Sequence, residues 1–139
     1  LDLAPGTADV AFSYQFLEHL HPDDVPLHLE LVHRILKPGG CYIFDTPHAY
    51  SGPHDISRHF SDTPQGFHLK EWTYREMFSV LKEAGFSRCF TFRRRRARMH
   101  RLFNGVTLAL EGAVGVLPRS LTGGLRSRLF LGVTMIAIR

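Results

Sequence analysis

The chain has 139 residues, 44% of them hydrophobic, enough for one domain with its own core. No run of about 18 uncharged apolar residues occurs and no leader is visible, so neither a transmembrane helix nor a secreted protein is expected. The net charge of +4 is local: six arginines lie in "RRRRARMHR", Arg93 to Arg101, and outside it eleven basic residues face thirteen acidic ones, which argues against a broad nucleic-acid-binding surface.

The chain opens on "LDLAPGTADVAF" without an initiator Met and reads as the middle of a longer protein. Ala8 to Tyr14 is a predicted buried strand, bounded by "PGT". Asp23 or Asp24 can cap the next helix, and Pro26 is tolerated in its first turn. Leu31, Val32, Ile35 and Leu36 give that helix an apolar stripe, and "LKPGG" ends it. Cys41 to Thr46, "CYIFDT", is a second strand whose continuous hydrophobicity suits a sheet covered on both faces.

A long polar segment runs from Pro47 to Trp72. "TYRE" then offers a capping box, Thr73 with Glu76, for a helix whose buried face is Met77, Phe78, Val80, Leu81 and Ala84 and whose stop is Gly85. Phe86 to Phe92 is a third strand. An apolar helical insert covers about 100–126, broken at Pro118, and "LFLGVTMIAI", Leu129 to Ile138, is a last strand. This strand is reached through the insert and is expected to run antiparallel to its neighbours.

Strand, helix, strand, helix, strand is a parallel α/β pattern. It leaves Ala8 to Tyr14 without a partner on one side, an edge that invites self-association. Cys41 and Cys89 sit in strand-like runs without CxxC spacing and read as buried free thiols of a reducing, cytoplasmic compartment.

"FSYQFLEHLHPDD", Phe12 to Asp24, falls where the first strand hands over to a helix, and open α/β sheets bind ligands at the carboxyl ends of their strands. "DVAFSYQFLEHL", "ILKPGGCYIFDTP" and "HLKEWTYREMFSVLKEAGF", in that order, resemble the C-terminal half of a class I S-adenosylmethionine-dependent methyltransferase, with a closer look of the quinone-biosynthesis group. The resemblance covers roughly Asp9 to Phe92. It implies part of a doubly wound, Rossmann-like sheet, strands 4, 5, 6 and 7 of the order 3-2-1-4-5-7-6, with the last strand antiparallel. The whole chain, 1–139, would be the C-terminal part of one such domain.

By the same resemblance, Ser13, Tyr14, Gln15 and Phe16 approach the S-adenosylmethionine, and Glu18 and His19 stand between cofactor and acceptor. Asp45 and the loop after it face the acceptor. His19 would be the catalytic residue, as positioner or base, since methyl transfer depends mostly on positioning and a hydroxyl acceptor must also lose a proton. In the loop, His48, Asp55, Arg58 and His59 are candidate substrate contacts, and Tyr50, Phe60 and Phe67 would shield the methyl donor from water. His48, His54, His59 and His68 with Asp55 and Asp62 match no compact ligand spacing, so no metal is expected. Nothing in the chain reads GxGxG, so the fragment is expected to be inactive alone.

The acceptor is expected to be a small molecule, anionic or lipid-like if the arginine run and the apolar "LFNGVTLALEGAVGVL" greet it. Two alternatives stand beside the enzyme. One is a non-catalytic α/β module binding a partner through the bare edge and the arginines. The other is a metal-dependent hydrolase that uses the histidine loop.

Overall fold

The computed structural model describes residues 3–95 and 98–139. In chain order the elements are strand β1 (Ala8–Tyr14), helix α1 (Val25–Ile35), strand β2 (Leu36–Pro47), helix α2 (Tyr74–Glu83) and strands β3 (Arg88–Arg95) and β4 (Arg98–Leu102). Helices α3 (Asn104–Gly115) and α4 (Arg119–Leu129) and strand β5 (Gly132–Ile138) follow. Short 3-10 turns lie at Leu17–His19 and Ile56–His59. The sheet order is β1-β2-β5-β3-β4; β1 and β2 are parallel, and β5 is antiparallel to both β2 and β3. This is the expected 4-5-7-6 order with β4 added as a hairpin on β3.

Local chemistry accounts for the helices. Thr73 Oγ1 accepts from the Glu76 N–H while Glu76 Oε2 accepts from the Thr73 N–H at 2.9 Å, the capping box read in "TYRE". Gly85, at φ 94°, ends that segment in a conformation that favours glycine. In α1 the buried side chains are Val25, Leu29 and Val32, with Leu36 next on the same face. Leu31, expected in the stripe, points outward because the period that starts at Val25 carries it to the solvent side. Asp24 occupies the N-cap position without a side-chain cap bond.

"LKPGG" is not a turn outside the sheet. β2 begins at Leu36, and the ladder to β1 skips from Leu36 to Cys41 between Ala8 and Val10, so Lys37 to Gly40 form a bulge. A Cβ on Gly40 would lie 3.0 Å from the Asp9 carbonyl oxygen, which explains a glycine there.

Tyr42, Phe44, Thr46, Val133, Met135 and Ala137 face the core together with Leu29, Val32, Met77, Leu81 and Phe86. The other face is open. Register places Phe12, Ile43, Ile136 and Phe90 in one row across it, and Tyr14, Asp45, Thr134 and Phe92 in the next. Phe12 is 68% exposed. The two-sided cover inferred for "CYIFDT" is therefore one-sided among the described residues. Cys41 and Cys89 are free and half-buried rather than buried, and burial pushes the Cys89 thiol up to about 11.

The expected helical insert divides differently. "RMHRL" is strand β4, paired through Thr91↔Leu102 and Arg93↔His100, and Pro118 separates α3 from α4 as expected. Arg126 is buried; its Nη2 donates to the Val114 and Leu117 carbonyls at 2.9 Å and its Nε to Thr122 Oγ1 at 2.8 Å, so α4 satisfies carbonyls left open at the end of α3. Of the arginine run, Arg101 lies over the Phe90 ring at 4.2 Å and Arg93 donates to the Arg128 carbonyl. Arg96 lies outside the described residues.

Candidate active site

The site forms at the carboxyl ends of the parallel strands β1 and β2. Just past β1, Gln15 adopts φ 50°, the left-handed region a non-glycine residue rarely enters. Its backbone N–H donates to the Asp45 carbonyl at 2.8 Å and its side-chain Nε2 to Asp45 Oδ1 at 2.8 Å. Asp45 Oδ2 also accepts from Thr134 Oγ1 at 2.5 Å. Backbone strain of this kind persists where surrounding bonds over-determine it, commonly at functional sites.

Tyr14 and Asp45 line a hollow of about 630 Å³ on the open face, with Phe12, Phe92, Arg93 and Arg128 around it. Ser13 turns the other way: its hydroxyl pairs with Tyr42 Oη at 2.5 Å on the helix-covered side. Phe16 is partly exposed and packs its ring at 5.3 Å from that of His28.

Glu18 is fully buried in the 3-10 turn after β1. Its Oε2 accepts from Thr46 Oγ1 at 2.8 Å, while Oε1 has no hydrogen-bond partner among the described residues. His19 is half-exposed beside it, with Nδ1 at 2.9 Å from the Phe67 carbonyl oxygen and Nε2 3.9 Å from Glu18 Oε1. The Leu69 N–H donates to the Glu18 carbonyl at 2.7 Å, so the far end of the long loop is tied to this turn.

That loop is closed at its base, where the Trp72 N–H reaches the Pro47 carbonyl and the Ala49 N–H the Trp72 carbonyl. Glu71, buried, accepts from the His54 N–H at 2.5 Å and pairs with His54 Nδ1 at 3.1 Å and His68 Nδ1 at 2.9 Å. Burial pushes its carboxyl up, but the bonds to His54 and His68 outweigh it and hold the group below its ordinary value. Gly52 is dictated by this arrangement, since a Cβ there would fall 1.6 Å from Glu71 Oε2.

The expected substrate contacts are not gathered in one place. His48 is buried, with Nε2 2.8 Å from Glu111 Oε1 and Nδ1 accepting from the Tyr50 N–H, so both ring nitrogens are spent on the fold. Asp55 caps the Ile56–His59 turn, accepting from the Ser57 and His68 N–H groups. Arg58 and His59 are exposed, 3.2 Å from each other. Phe60 and Phe67 are open to solvent, while Tyr50 packs against Phe130 and His48. Glu71, Thr46 and Glu111 went unread because their partners are distant in sequence; Glu111 alone gave a signal, as a single carboxylate in an apolar helical run.

The sheet order, with an antiparallel β5 inserted between β2 and β3, defines the fold of the S-adenosylmethionine-dependent methyltransferases. Residues 1–44 match the family model described as "Methyltransferase domain". A methyltransferase of Thermotoga maritima, described as a possible histamine N-methyltransferase, is 14% identical with a TM-score of 0.65, over 99% of this chain and 59% of its own. One from Archaeoglobus fulgidus is 17% identical with a TM-score of 0.59, over 99% and 62%. The Burkholderia thailandensis 1,6-didemethyltoxoflavin-N1-methyltransferase, with S-adenosylhomocysteine bound, is 20% identical with a TM-score of 0.56, over 100% and 46%. No curated protein sequence matches.

The resemblance to class I S-adenosylmethionine-dependent methyltransferases therefore holds, by family model at the start of the chain and by fold throughout. Its narrower form, the quinone-biosynthesis group, finds no support among these relatives. The chain spans about three fifths of the length of the first two. No helix among the described residues is long and apolar enough to cross a membrane.

Proposed function

We propose that the chain is the C-terminal part of an enzyme domain that transfers the methyl group of S-adenosylmethionine to a small-molecule acceptor. The observation that carries this reading is the carboxyl end of β1. Gln15 is held there at positive φ by Asp45, and Glu18 and His19 follow within one turn. Relatives of the same fold include one described with S-adenosylhomocysteine bound.

In this reading Tyr14, Gln15, Phe16 and the backbone of Ser13 approach the cofactor. Asp45 orients Gln15 and limits which conformations it can take. The reaction breaks the sulfonium–methyl bond, forms the acceptor–methyl bond and leaves a neutral thioether, so alignment contributes most of the rate. When the acceptor is a hydroxyl its proton also leaves, and the half-exposed His19 is the group at the rim suited to that. Arg58 and His59 are the loop side chains left exposed for an acceptor, outside the lining of the hollow, while His48 and Asp55 hold the loop in shape. Arg93 and Arg128 beside an apolar lining support an acceptor with an anionic or lipid-like part.

The alternative of a partner-binding module has less behind it, because the family model and the similar folds are those of methyltransferases. Calorimetric titration of S-adenosylhomocysteine into the 139-residue chain and into the longer polypeptide of the same gene tests the proposal. Binding by the longer form alone is expected, since no GxGxG loop lies in these residues. Absence of binding by both overturns it.

A further inference from the structure

The buried carboxylate oxygen of Glu18 needs a partner that no described residue supplies. Buried polar atoms in folded proteins are almost always paired, and an orphan commonly marks a missing water or ion. His19 Nε2 lies 3.9 Å from it, too far for a hydrogen bond. Glu18, His19 and His68 each bring one ligand-type atom into a cluster within 4.8 Å.

The hydrogen bonds around this cluster decide which atoms are free. His19 Nδ1 meets the Phe67 carbonyl, which can only accept, so Nδ1 carries the proton and Nε2 offers a lone pair. His68 Nδ1 meets the Glu71 carboxylate, so again Nδ1 is the donor and Nε2 is free. Glu18 Oε2 is bound by the Thr46 hydroxyl, which leaves Oε1. Each residue thus spends one polar atom on a fixed partner and keeps another free. A histidine whose second nitrogen is held by a carboxylate or carbonyl is the usual support of a metal ligand. The Leu69 and Lys70 N–H groups on the Glu18 carbonyl, at 2.7 and 3.3 Å, hold the two segments together before any ligand arrives.

We infer that Glu18 Oε1, His19 Nε2 and His68 Nε2 form a site for a divalent transition metal of the zinc class. Two imidazoles and a carboxylate are a donor set of catalytic zinc sites, which keep a fourth position for water or substrate. Bonds of about 2.1 Å in tetrahedral geometry bring ligand atoms to roughly 3.4 Å of one another, so the 3.9 Å pair must close by about 0.5 Å and a pair at the 4.8 Å limit of the cluster by about 1.4 Å. The sequence expectation of no metal looked within the loop, whereas this site joins one loop histidine to the "LEHL" turn. His48 and His54 take no part, because both ring nitrogens of each are bonded, to Glu111 and the Tyr50 N–H and to Glu71 and Ser51, and His59 lies outside the cluster. The inference rests on the ligand geometry alone, and a metal on His19 Nε2 takes the lone pair that a base would use, so His19 serves one role or the other at a time.

The test is cobalt(II) and zinc(II) titration of the 139-residue protein, followed by visible absorption and by competition with a chromophoric chelator. One equivalent should bind with the ligand-field bands of a four-coordinate cobalt site. His19→Asn and His68→Asn should each weaken zinc at least 100-fold, and circular dichroism should show both variants folded. His59→Asn, at an exposed histidine outside the cluster, should leave the affinity unchanged. No stoichiometric uptake, or uptake indifferent to both His19→Asn and His68→Asn, overturns the site. Neither result bears on S-adenosylhomocysteine binding, so the two proposals fail separately.

Discussion

Glu111 Oε1 lies 2.8 Å from His48 Nε2, and both side chains are buried. The same carboxylate accepts from the Tyr74 N–H at 2.7 Å and, through Oε2, from the Arg75 N–H at 2.9 Å. One residue of α3 therefore caps the first turn of α2 and anchors the start of the long loop. A carboxylate is favoured there because the first N–H groups of a helix lack intrahelical acceptors and carry the positive end of its dipole.

Removing that carboxylate should be costly. Glu111→Ala strands the buried His48 Nε2–H and Tyr74 N–H and the part-buried Arg75 N–H, and each buried donor left without an acceptor costs about 1–3 kcal/mol. His48→Ala should also destabilise, but the double variant should lose less than the sum, by roughly 0.5–3 kcal/mol, because the residues share a bond. Urea unfolding of the four proteins measures this. Strict additivity would show that the pair does not act as a unit.

How much of this was legible follows from the range of each interaction. β1 was read at its observed bounds because "PGT" and a mostly apolar run define it locally, but it was read as buried and none of its residues is; the Thr73–Glu76 box spans one turn. The antiparallel direction of β5 was read from the element order, the last strand following the insert rather than a single crossover helix. β4 was not, since "RMHRL" has no strand pattern of its own and is extended by pairing with β3. At the site, "LEHL" marked the right turn, but the atoms that define its chemistry, Thr46, Phe67 and His68, come from segments that only folding brings near. The loop histidines looked equivalent in sequence; buried carboxylates from Glu71 and Glu111 distinguish them.

Acid should unfold the protein progressively. Desolvation pushes Asp55 up, yet bonds from the His68 and Ser57 N–H groups and the Ser57 hydroxyl hold it at about 2, below its ordinary 3.8. Glu71 is held low by His54 and His68. A carboxyl lowered in the fold stabilises above its unfolded value, and that contribution disappears as pH falls through the folded value. For Asp55 the window is therefore from about pH 4 down to 2. His28 is lowered from 6.5 by burial, so its contribution is present above pH 6.5 and is lost on acidification below it. Urea midpoints should fall from pH 7 toward pH 5 and again below pH 4, and Asp55→Asn should flatten only the second limb. A midpoint that rises on acidification would contradict both assignments.

Phe12 and Phe44 test whether the open face is open in solution. They occupy neighbouring strands but opposite faces: Phe44 is fully buried in the core, whereas Phe12 stands 68% exposed with Val10 and Tyr14 on a strand whose outer edge has no partner among the described residues. Phe44→Ala should cost about 3–5 kcal/mol, as core phenylalanine truncations do. Phe12→Ala should change stability by less than about 0.5 kcal/mol, the usual range for surface sites. An apolar row on an unpaired edge favours association between copies. Sedimentation velocity should accordingly show concentration-dependent self-association of the 139-residue chain, reduced by Phe12→Asp. If Phe12→Ala proves as damaging as Phe44→Ala, the row is buried in solution and the face is an interface that the isolated chain needs for its own stability.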